Sequence, residues 1–144
     1  MAILPLLPLS GCGQADAPDA VSDASETGSA EAEVTGGTDL SVCFFQAGAA
    51  DAILLTTENS AVLVDCGEKG FGKEILSYLE EHGVTRLDYL IITHFDKDHV
   101  GGAAKVINNM EIGTVLQSNC PKDSDEYENY IAALENAGLE AETV

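Results

Sequence analysis

The chain has 144 residues, of which 45% are hydrophobic, and its formal net charge is -19. That length allows one modest domain with its own core. From residue 40 onward there are 18 acidic and six basic residues, and this net charge of -12 opposes binding to phosphate backbones unless metal ions or a partner offset it.

The first eleven residues are apolar, but they are too few to span a bilayer. They end in front of Cys12, and the sequence LSGC at residues 9–12 resembles the lipobox of bacterial lipoproteins. In that family the signal peptide is removed just before the cysteine, which is then lipidated. The resemblance implies a signal segment at residues 1–11 and a lipid anchor at Cys12, which would hold the protein to the membrane at the bacterial cell surface.

Two features depart from the lipoprotein pattern. No base precedes Lys69, although a signal peptide opens with positive charge, and the apolar run is short and contains Pro5 and Pro8. A true start of the gene further upstream would explain both departures. The alternatives are an ordinary apolar N-terminus with a chance cysteine, in a protein that is secreted or cytoplasmic.

Residues 12–39 are rich in Ala, Ser, Gly, Thr and acids, and they contain no aromatic residue and no base. Such a composition cannot bury enough surface to offset the entropy that is lost on ordering. We therefore predict a disordered acidic linker, which is the flexible tether expected behind a lipid anchor.

From residue 40 the sequence becomes typical of a folded domain, which we place at residues 40–144. Apolar, β-prone runs predict three strands, at residues 40–48, 51–57 and 61–67. The sequence ENS between the last two predicts a hairpin turn. Residues 72–83 then place Ile75, Leu76 and Leu79 on one face and end in a glycine, which predicts a helix.

Strands and helices alternate in the rest of the chain. The continuous apolar run at residues 86–93 predicts a strand that is buried on both faces. Two more strands are predicted at residues 112–118 and 139–144, and two helices at residues 100–110 and 124–138. This order favours an α/β (α+β layered) domain. Because no element follows the last predicted strand, we expect the domain to be incomplete.

Several residues have ordinary structural interpretations. Cys43 and Cys66 lie in strand-like runs, which favours buried core thiols over a disulfide, and the absence of a C-x-x-C pair argues against a zinc knuckle. His82 ends a predicted helix, where the helix dipole favours a cation, and we do not expect it to bind metal. Tyr127 and Tyr130 are predicted to be core or boundary aromatics.

The sequence THFDKDHVGG at residues 93–102 is the candidate for chemistry. It follows a buried strand, and ligand sites in α/β folds gather at the carboxyl ends of strands. In a turning loop, His94 and Asp96 point the same way. The adjacent residues Asp98 and His99 can then turn toward a second position beside the first. This pattern predicts two metal positions, since imidazole and carboxylate suit zinc, manganese or iron. The candidate ligands are His94, Asp96, Asp98 and His99.

The same residues also have a structural interpretation. A polar cluster of this kind can cap a strand and begin a helix, with Asp98 as the N-cap residue. Gly101 and Gly102 follow the cluster and let the backbone approach a site closely. The buried strand before the loop and the glycine pair after it favour the metal site.

The loop resembles the signature loop of the metallo-β-lactamase fold superfamily, which reads H-x-H-x-D-H. Asp96 replaces the second histidine here, and H-x-D-x-D-H followed by two glycines is the variant of the ComEC-type competence proteins' metallo-hydrolase branch. The sequence AVLVDCG is similar to that family's strand that ends in an aspartate ahead of a glycine, with Asp65 and Gly67 matching.

A further segment agrees with this family. The sequence FFQAGAADAILL at residues 44–55 is similar to the family's V-G-Q-G-D-A segment, and it retains Gly48, Asp51 and Ala52. We weigh a supporting role of Asp51 at the site equally against that of a plain turn residue. The resemblance covers roughly residues 41–118, in order and at plausible spacing.

The resemblance implies the N-terminal half of a partial αββα metallo-β-lactamase-like sandwich. It implies two divalent ions, zinc first with manganese or iron as alternatives. His94 and Asp96 would begin one position and Asp98 and His99 the other, with Asp65 bracing the loop from below. The metals would lower the pKa of a bound water so that hydroxide attacks, and Asp98 would both bind metal and handle that proton.

The implied function is hydrolysis of ester or phosphodiester bonds at a dinuclear site, in a small-molecule or polymeric substrate such as DNA. β-Lactam hydrolysis is disfavoured, because Asp96 stands where the zinc β-lactamases carry histidine. The family's later ligands are absent, since no histidine follows His99. A half-complete cage binds metal weakly, so we expect this chain alone to be weak or inactive. The alternative is a non-catalytic surface-anchored binding module that keeps the fold.

Overall fold

The computed structural model describes residues 39–144, so the predicted signal segment at residues 1–11, most of the acidic linker and Cys12 lie outside the described residues. All six predicted strands are present, and the mixed order of strands and helices confirms the α/β class. The elements are β1 (Ser41–Phe44), β2 (Ile53–Thr56), β3 (Ala61–Val64), α1 (Gly72–Glu81), β4 (Arg86–Ile92), α2 (Lys97–Val100), α3 (Ala103–Ile107), β5 (Glu111–Gln117), α4 (Asp125–Ala137) and β6 (Ala141–Thr143).

The strands form one sheet in the order in which they occur in the chain. β2 pairs antiparallel with β1 on one side and with β3 on the other, whereas β3, β4, β5 and β6 pair in parallel, each with the next. The Thr57 N–H donates to the Ser60 carbonyl over 2.8 Å, which closes the predicted hairpin turn. Parallel neighbours need crossover connections, and the helices provide them. The carboxyl ends of β3, β4 and β5 therefore share one edge of the sheet with the amino end of β2.

One face of the sheet carries the core. A row of directly paired residues crosses this face, each at most 2% exposed: Leu54, Leu63, Leu90 and Val115. Ile75 and Leu79 of α1, Val106 of α3 and Tyr130 of α4 belong to the same cluster, all at 0% exposure. Each large apolar side chain that is buried in this way contributes about 2 kcal/mol, so this face is the main source of stability.

The opposite face of the sheet is apolar but only partly covered. Its row of paired residues is Phe44, Ile53, Val64, Ile91 and Leu116. The first of these is 69% exposed and the other four are half-buried. The prediction that β4 is buried on both faces is therefore wrong for residues 39–144. The run in β4 is continuous because both its faces carry apolar side chains, but burial is incomplete: Leu87, Leu90 and Ile92 are at most 1% exposed, whereas Ile91 is half-buried and Tyr89 is 44% exposed.

The described residues thus form one sheet with its helical layer, which is one of the two such pairs in an αββα sandwich. α4 begins after Ser124, whose hydroxyl accepts a hydrogen bond from the Tyr127 N–H, and it ends at Gly138 in the left-handed conformation. These ends agree with the predicted helix at residues 124–138. α1 ends in the same way ahead of Gly83, which has a φ of +70°.

The helix predicted at residues 100–110 is replaced by two short helices, and the first of them begins earlier. Asp96 is extended, with a ψ of 147°, and it is the N-cap residue of α2 without a side-chain capping bond. The prediction of Asp98 as the N-cap is wrong, because the chain turns into the helix before it. Asp98 and His99 therefore lie inside α2, so their side chains leave the helix about 100° apart around its axis.

The described cysteines are free, with Cys66 fully buried and Cys43 half-buried against the core. This confirms core thiols over a disulfide. Tyr130 is fully buried and Tyr127 is partly buried against the same cluster, which confirms their prediction as core and boundary aromatics.

His82 is the C-cap residue of α1, where its ring stacks on Tyr78 with centroids 3.8 Å apart. α1 leads into the amino end of β4, so His82 lies at the edge of the sheet opposite to the loop at residues 93–99. Within residues 39–144, the helices are too short and too polar for any of them to cross a bilayer.

Candidate metal centre

The polar residues that the sequence singles out meet at one edge of the sheet. Residues 93–99 follow β4, Asp65 follows β3, and Asp51 precedes β2, which is antiparallel to β3. Backbone hydrogen bonds join the three points. The Asp51 N–H donates to the Asp98 carbonyl over 3.1 Å, and the Gly67 N–H donates to the Asp51 carbonyl over 2.9 Å.

Asp65 lies beneath the loop and binds it at three atoms. Its side chain is buried, and one carboxylate oxygen accepts the Thr93 N–H over 2.9 Å. The other oxygen accepts the Thr93 hydroxyl over 2.6 Å and contacts Nδ1 of His99 at 2.8 Å. Asp65 has a φ of +56°, a left-handed conformation that aspartate tolerates better than most residues. This backbone conformation turns the carboxylate back under the loop.

These contacts assign the proton positions of both histidines. The carboxylate of Asp65 is an acceptor, so Nδ1 of His99 carries the proton in their 2.8 Å contact. The Thr93 hydroxyl has one proton and gives it to Asp65, so in its 3.0 Å contact with Nδ1 of His94 the ring is the donor. Both rings therefore keep Nε2 unprotonated when neutral, which is the form in which imidazole binds metal.

Nε2 of His99 faces two carboxylates. It lies 3.6 Å from the nearer Asp51 oxygen and 3.8 Å from the nearer Asp98 oxygen. The His94 and His99 rings lie side by side, with centroids 3.7 Å apart and planes tilted by 47°. The structure thus brings His94, Asp98 and His99 together, with Asp51 beside them.

Asp96 makes a different contact. The Lys122 ammonium forms an ion pair and a hydrogen bond with its carboxylate. This hydrogen bond is the main reason why the pKa of Asp96 is lowered below its usual value. Of the four predicted ligands, Asp96 is therefore the one that forms an ion pair with a lysine of the described residues.

Glycines allow the close packing behind the loop. A side chain at Gly101 would meet the Lys97 carbonyl and the Lys69 N–H, and one at Gly102 would meet the Cys66 carbonyl. Backbone hydrogen bonds form across this space instead. The Cys66 N–H donates to the His99 carbonyl over 2.7 Å, and the Gly102 N–H donates to Gly67 over 3.1 Å. The backbone of α2 is thereby tied to the end of β3.

The donor chemistry of this edge fits a divalent transition metal. Two imidazoles with free Nε2 atoms and nearby carboxylates are the ligands that zinc, manganese and iron accept. The residues that would hold an ion are His94, Asp98 and His99, with Asp51 in reach. As the side chains stand, no group of three or more His, Cys, Asp or Glu residues within residues 39–144 is spaced to hold a metal.

The sequence pattern did not predict two residues of the site. Thr93 connects Asp65 to His94, and its place at the end of an apolar strand beside a histidine is the signal that could have found it. Lys122 contacts Asp96 from 26 positions away, and nothing local in the sequence marks that pairing.

Comparisons with known proteins identify the family of the chain. Residues 46–117, half of the chain, match the sequence profile of the metallo-beta-lactamase superfamily. Recombination protein 2 of Haemophilus influenzae is 34% identical over 76 residues, which cover 47% of this chain and 10% of that protein.

Several solved metallo-beta-lactamase structures are also similar to the chain. A structure from Pontibacter korlensis has a TM-score of 0.44 at 17% identity, and the match covers 80% of this chain and 51% of the chain of that structure. A mutant metallo-beta-lactamase from Cronobacter sakazakii also has a TM-score of 0.44, at 25% identity. That match covers 49% of this chain and 28% of the chain of that structure. The chain thus spans about a tenth of the curated relative and at most about half of these structures.

Proposed function

The chain belongs to the metallo-beta-lactamase superfamily, and from this membership we propose that it acts as a metal-dependent hydrolase of ester or phosphodiester bonds. The observation that carries the proposal is the contact of Asp65 with Nδ1 of His99 at 2.8 Å. It fixes the ring so that Nε2 faces the carboxylates of Asp51 and Asp98. A carboxylate behind a histidine in this way orients the ring and raises its basicity toward a metal.

The substrate that we propose is a phosphodiester, in a polymer such as DNA. The relative from Haemophilus influenzae is named for recombination, a process that acts on DNA. Residues 40–144 carry a net charge of -12, which repels a nucleic acid backbone. Divalent ions at the site would offset part of that repulsion, so we propose zinc, manganese or iron, with two ions as the full complement.

The residues of the chain have distinct roles in this proposal. His94, Asp98 and His99 would hold the ion, whose Lewis acidity activates water and polarises the scissile bond when it is bound. Asp65 holds the ring of His99, and the Asp98 carboxylate is the nearest acceptor for a proton released at the site. Because Asp98 sits in α2, its position depends on the backbone bonds that tie this helix to β3.

Hydrolysis assays on the purified chain test the proposal. We expect weak Mn²⁺- or Zn²⁺-dependent release of nitrophenol from bis(p-nitrophenyl) phosphate, in keeping with an incomplete set of ligands, and less from p-nitrophenyl acetate. Chelation should abolish it, and His99→Ala or Asp98→Asn should lower it about 100-fold. His82→Ala is the matched control, since it removes a histidine at the opposite sheet edge. Turnover that survives chelation, or survives in both site variants, would rule the proposal out.

A second candidate is a binding module without catalysis. Two observations favour it: Asp96 is paired with Lys122, and residues 39–144 contain no ready three-ligand group. In that case the chain would bind DNA or another polymer reversibly and show no turnover. A mobility-shift titration run beside the hydrolysis assay separates the two functions.

We also propose that the protein is lipid-anchored at the cell surface through Cys12. The support is the LSGC sequence at residues 9–12 and the acidic, base-free stretch that follows it. Partition between detergent and aqueous phases of Triton X-114 tests this. The wild-type protein expressed in a bacterial host should enter the detergent phase, and Cys12→Ser should not. Equal partition of the two proteins would contradict the anchor.

A further inference from the structure

Lys122 approaches the candidate metal centre from the connection between β5 and α4. β5 is the parallel neighbour of β4, and the Ser118 N–H donates to the Ile92 carbonyl over 3.2 Å. This bond holds the start of the connection against the end of β4. The Lys122 ammonium then reaches the Asp96 carboxylate, with an ion pair and a hydrogen bond.

The Asp96 carboxylate makes no capping bond to the helix that it precedes. Its backbone is extended, and its side chain points to Lys122 instead. The carboxylates of Asp51 and Asp98 lie near Nε2 of His99. Apart from the buried Asp65, the carboxylates of the site within the described part of the chain therefore divide into one that faces a lysine and two that face Nε2 of His99.

We propose that Lys122 is a built-in cation that takes Asp96 in place of a divalent ion. An ammonium and a divalent ion repel each other, so the two cations compete for one carboxylate. Both side chains of the pair are about half exposed, at 48% and 51%. The ammonium can therefore leave, and a high metal concentration displaces it. The proposal rests on the proposed function, because the excluded ion is the second of the two divalent ions proposed there, for which Asp96 would be a ligand.

The test is a count of bound Mn²⁺ on the full chain. Equilibrium titration followed by electron paramagnetic resonance of free Mn²⁺ gives the number of ions and their affinities without any activity measurement. Lys122→Met removes the competing charge and keeps the length of the side chain. Lys122→Arg keeps the charge. The double variant Lys122→Met/Asp96→Asn removes the charge together with the carboxylate that it would release.

We expect Lys122→Met to bind one more Mn²⁺ than wild type, or to bind its weakest Mn²⁺ roughly fivefold more tightly, since exposed pairs of this kind contribute up to about 1 kcal/mol. Lys122→Arg and the double variant should match wild type. A Lys122→Met titration that equals wild type overturns the role of Lys122, and so does a gain that persists in the double variant. The wild-type count itself tests the proposed function, so the two failures are distinguishable.

Discussion

The carboxylate of Asp65 lies 2.8 Å from Nδ1 of His99, and this contact decides which nitrogen of the ring can bind a metal. Asp65 also accepts both the N–H and the hydroxyl of Thr93, which itself accepts from His94. One buried carboxylate thus orients both histidines of the loop. Their alignment depends on a residue that need not touch the metal.

Asp65→Asn should lower the affinity for divalent metals about 10- to 100-fold while the fold is kept. Asparagine tolerates the left-handed backbone of Asp65, but its single amide oxygen cannot replace both carboxylate oxygens. One of these accepts the Thr93 N–H, and the other accepts the Thr93 hydroxyl and contacts His99. If the amide donates to Nδ1 of His99, the proton moves to Nε2 and blocks the metal. Competition with a chromophoric chelator measures the affinity.

Asp88→Asn is the control for this experiment, because Asp88 accepts the Ala61 N–H in the sheet, away from the loop. An Asp65→Asn protein with the affinity of wild type would show that the tautomer of His99 is set by something else.

Gly102→Ala should destabilise the chain by about 3 kcal/mol. The added methyl group would press against the Cys66 carbonyl and lie 2.9 Å from the Gly72 nitrogen, and both are backbone atoms that cannot rotate away. Gly83→Ala adds its methyl group in open space and should cost about 1 kcal/mol for its left-handed backbone. Urea unfolding followed by circular dichroism compares the two. Equal losses would mean that the backbone behind α2 can shift.

Cys66 should resist alkylation in the folded chain, whereas Cys120 should react readily. Cys66 is fully buried, and burial raises the pKa of its thiol, with the Asp65 charge adding to the shift. The reactive thiolate is therefore scarce. Cys120 is exposed. Mass spectrometry of peptides after iodoacetamide treatment at pH 8, with and without urea, measures both. Reaction of Cys66 at the rate of Cys120 without urea would contradict the buried position.

Stability should fall above about pH 9. Burial raises the pKa of the Cys66 thiol from its ordinary 9.0 and that of the Tyr130 hydroxyl from 10.0. The folded state then keeps protons that the unfolded chain releases, so the stabilisation is present below pH 9 and lost as the pH rises. The slope is about 1.4 kcal/mol per pH unit for each group.

Urea midpoints between pH 7 and pH 10.5 measure this loss. Cys66→Ala and Tyr130→Phe should each flatten the decline, although each also lowers stability at pH 7 because packing or the hydrogen bond to Gln117 is lost. A wild-type midpoint that stays constant over this range would refute the expected linkage.

The two faces of β3 should respond differently to truncation. Leu63 is fully buried against the helices, and Leu63→Ala should cost about 3 kcal/mol. Val64, the next residue, is half-buried on the other face, and Val64→Ala should cost about 1 kcal/mol. Urea unfolding measures both variants. A larger loss for Val64→Ala would show that the second face is covered in solution, for example by self-association.

Apolar runs predicted the six strands because each strand repeats its pattern locally, and glycines predicted the ends of α1 and α4. The start of α2 was missed, since Lys97 follows an extended aspartate and the short helix is held by backbone bonds to β3. The burial of β4 was overestimated, because a sequence of apolar residues does not tell how many faces are covered. The Lys122 contact depends on how a connection folds, which no local pattern encodes.

The loop at residues 93–102 was predicted as a group, while the roles of its members as ligands stay predictions. The sequence did not indicate which of these side chains lie next to each other. The resemblance paired His94 with Asp96, whereas the structure places the His94 ring against His99 and turns Asp96 to Lys122. That arrangement follows from the helical turn that starts at Lys97.

The connection at residues 119–123 is exposed throughout and borders the loop, whereas the loop itself is fastened to two neighbouring strand ends. For protein engineering this separates the site into a fixed part and a replaceable part. Recognition elements for a new substrate belong beside Lys122 in residues 119–123, where we expect insertions to leave the histidine geometry intact.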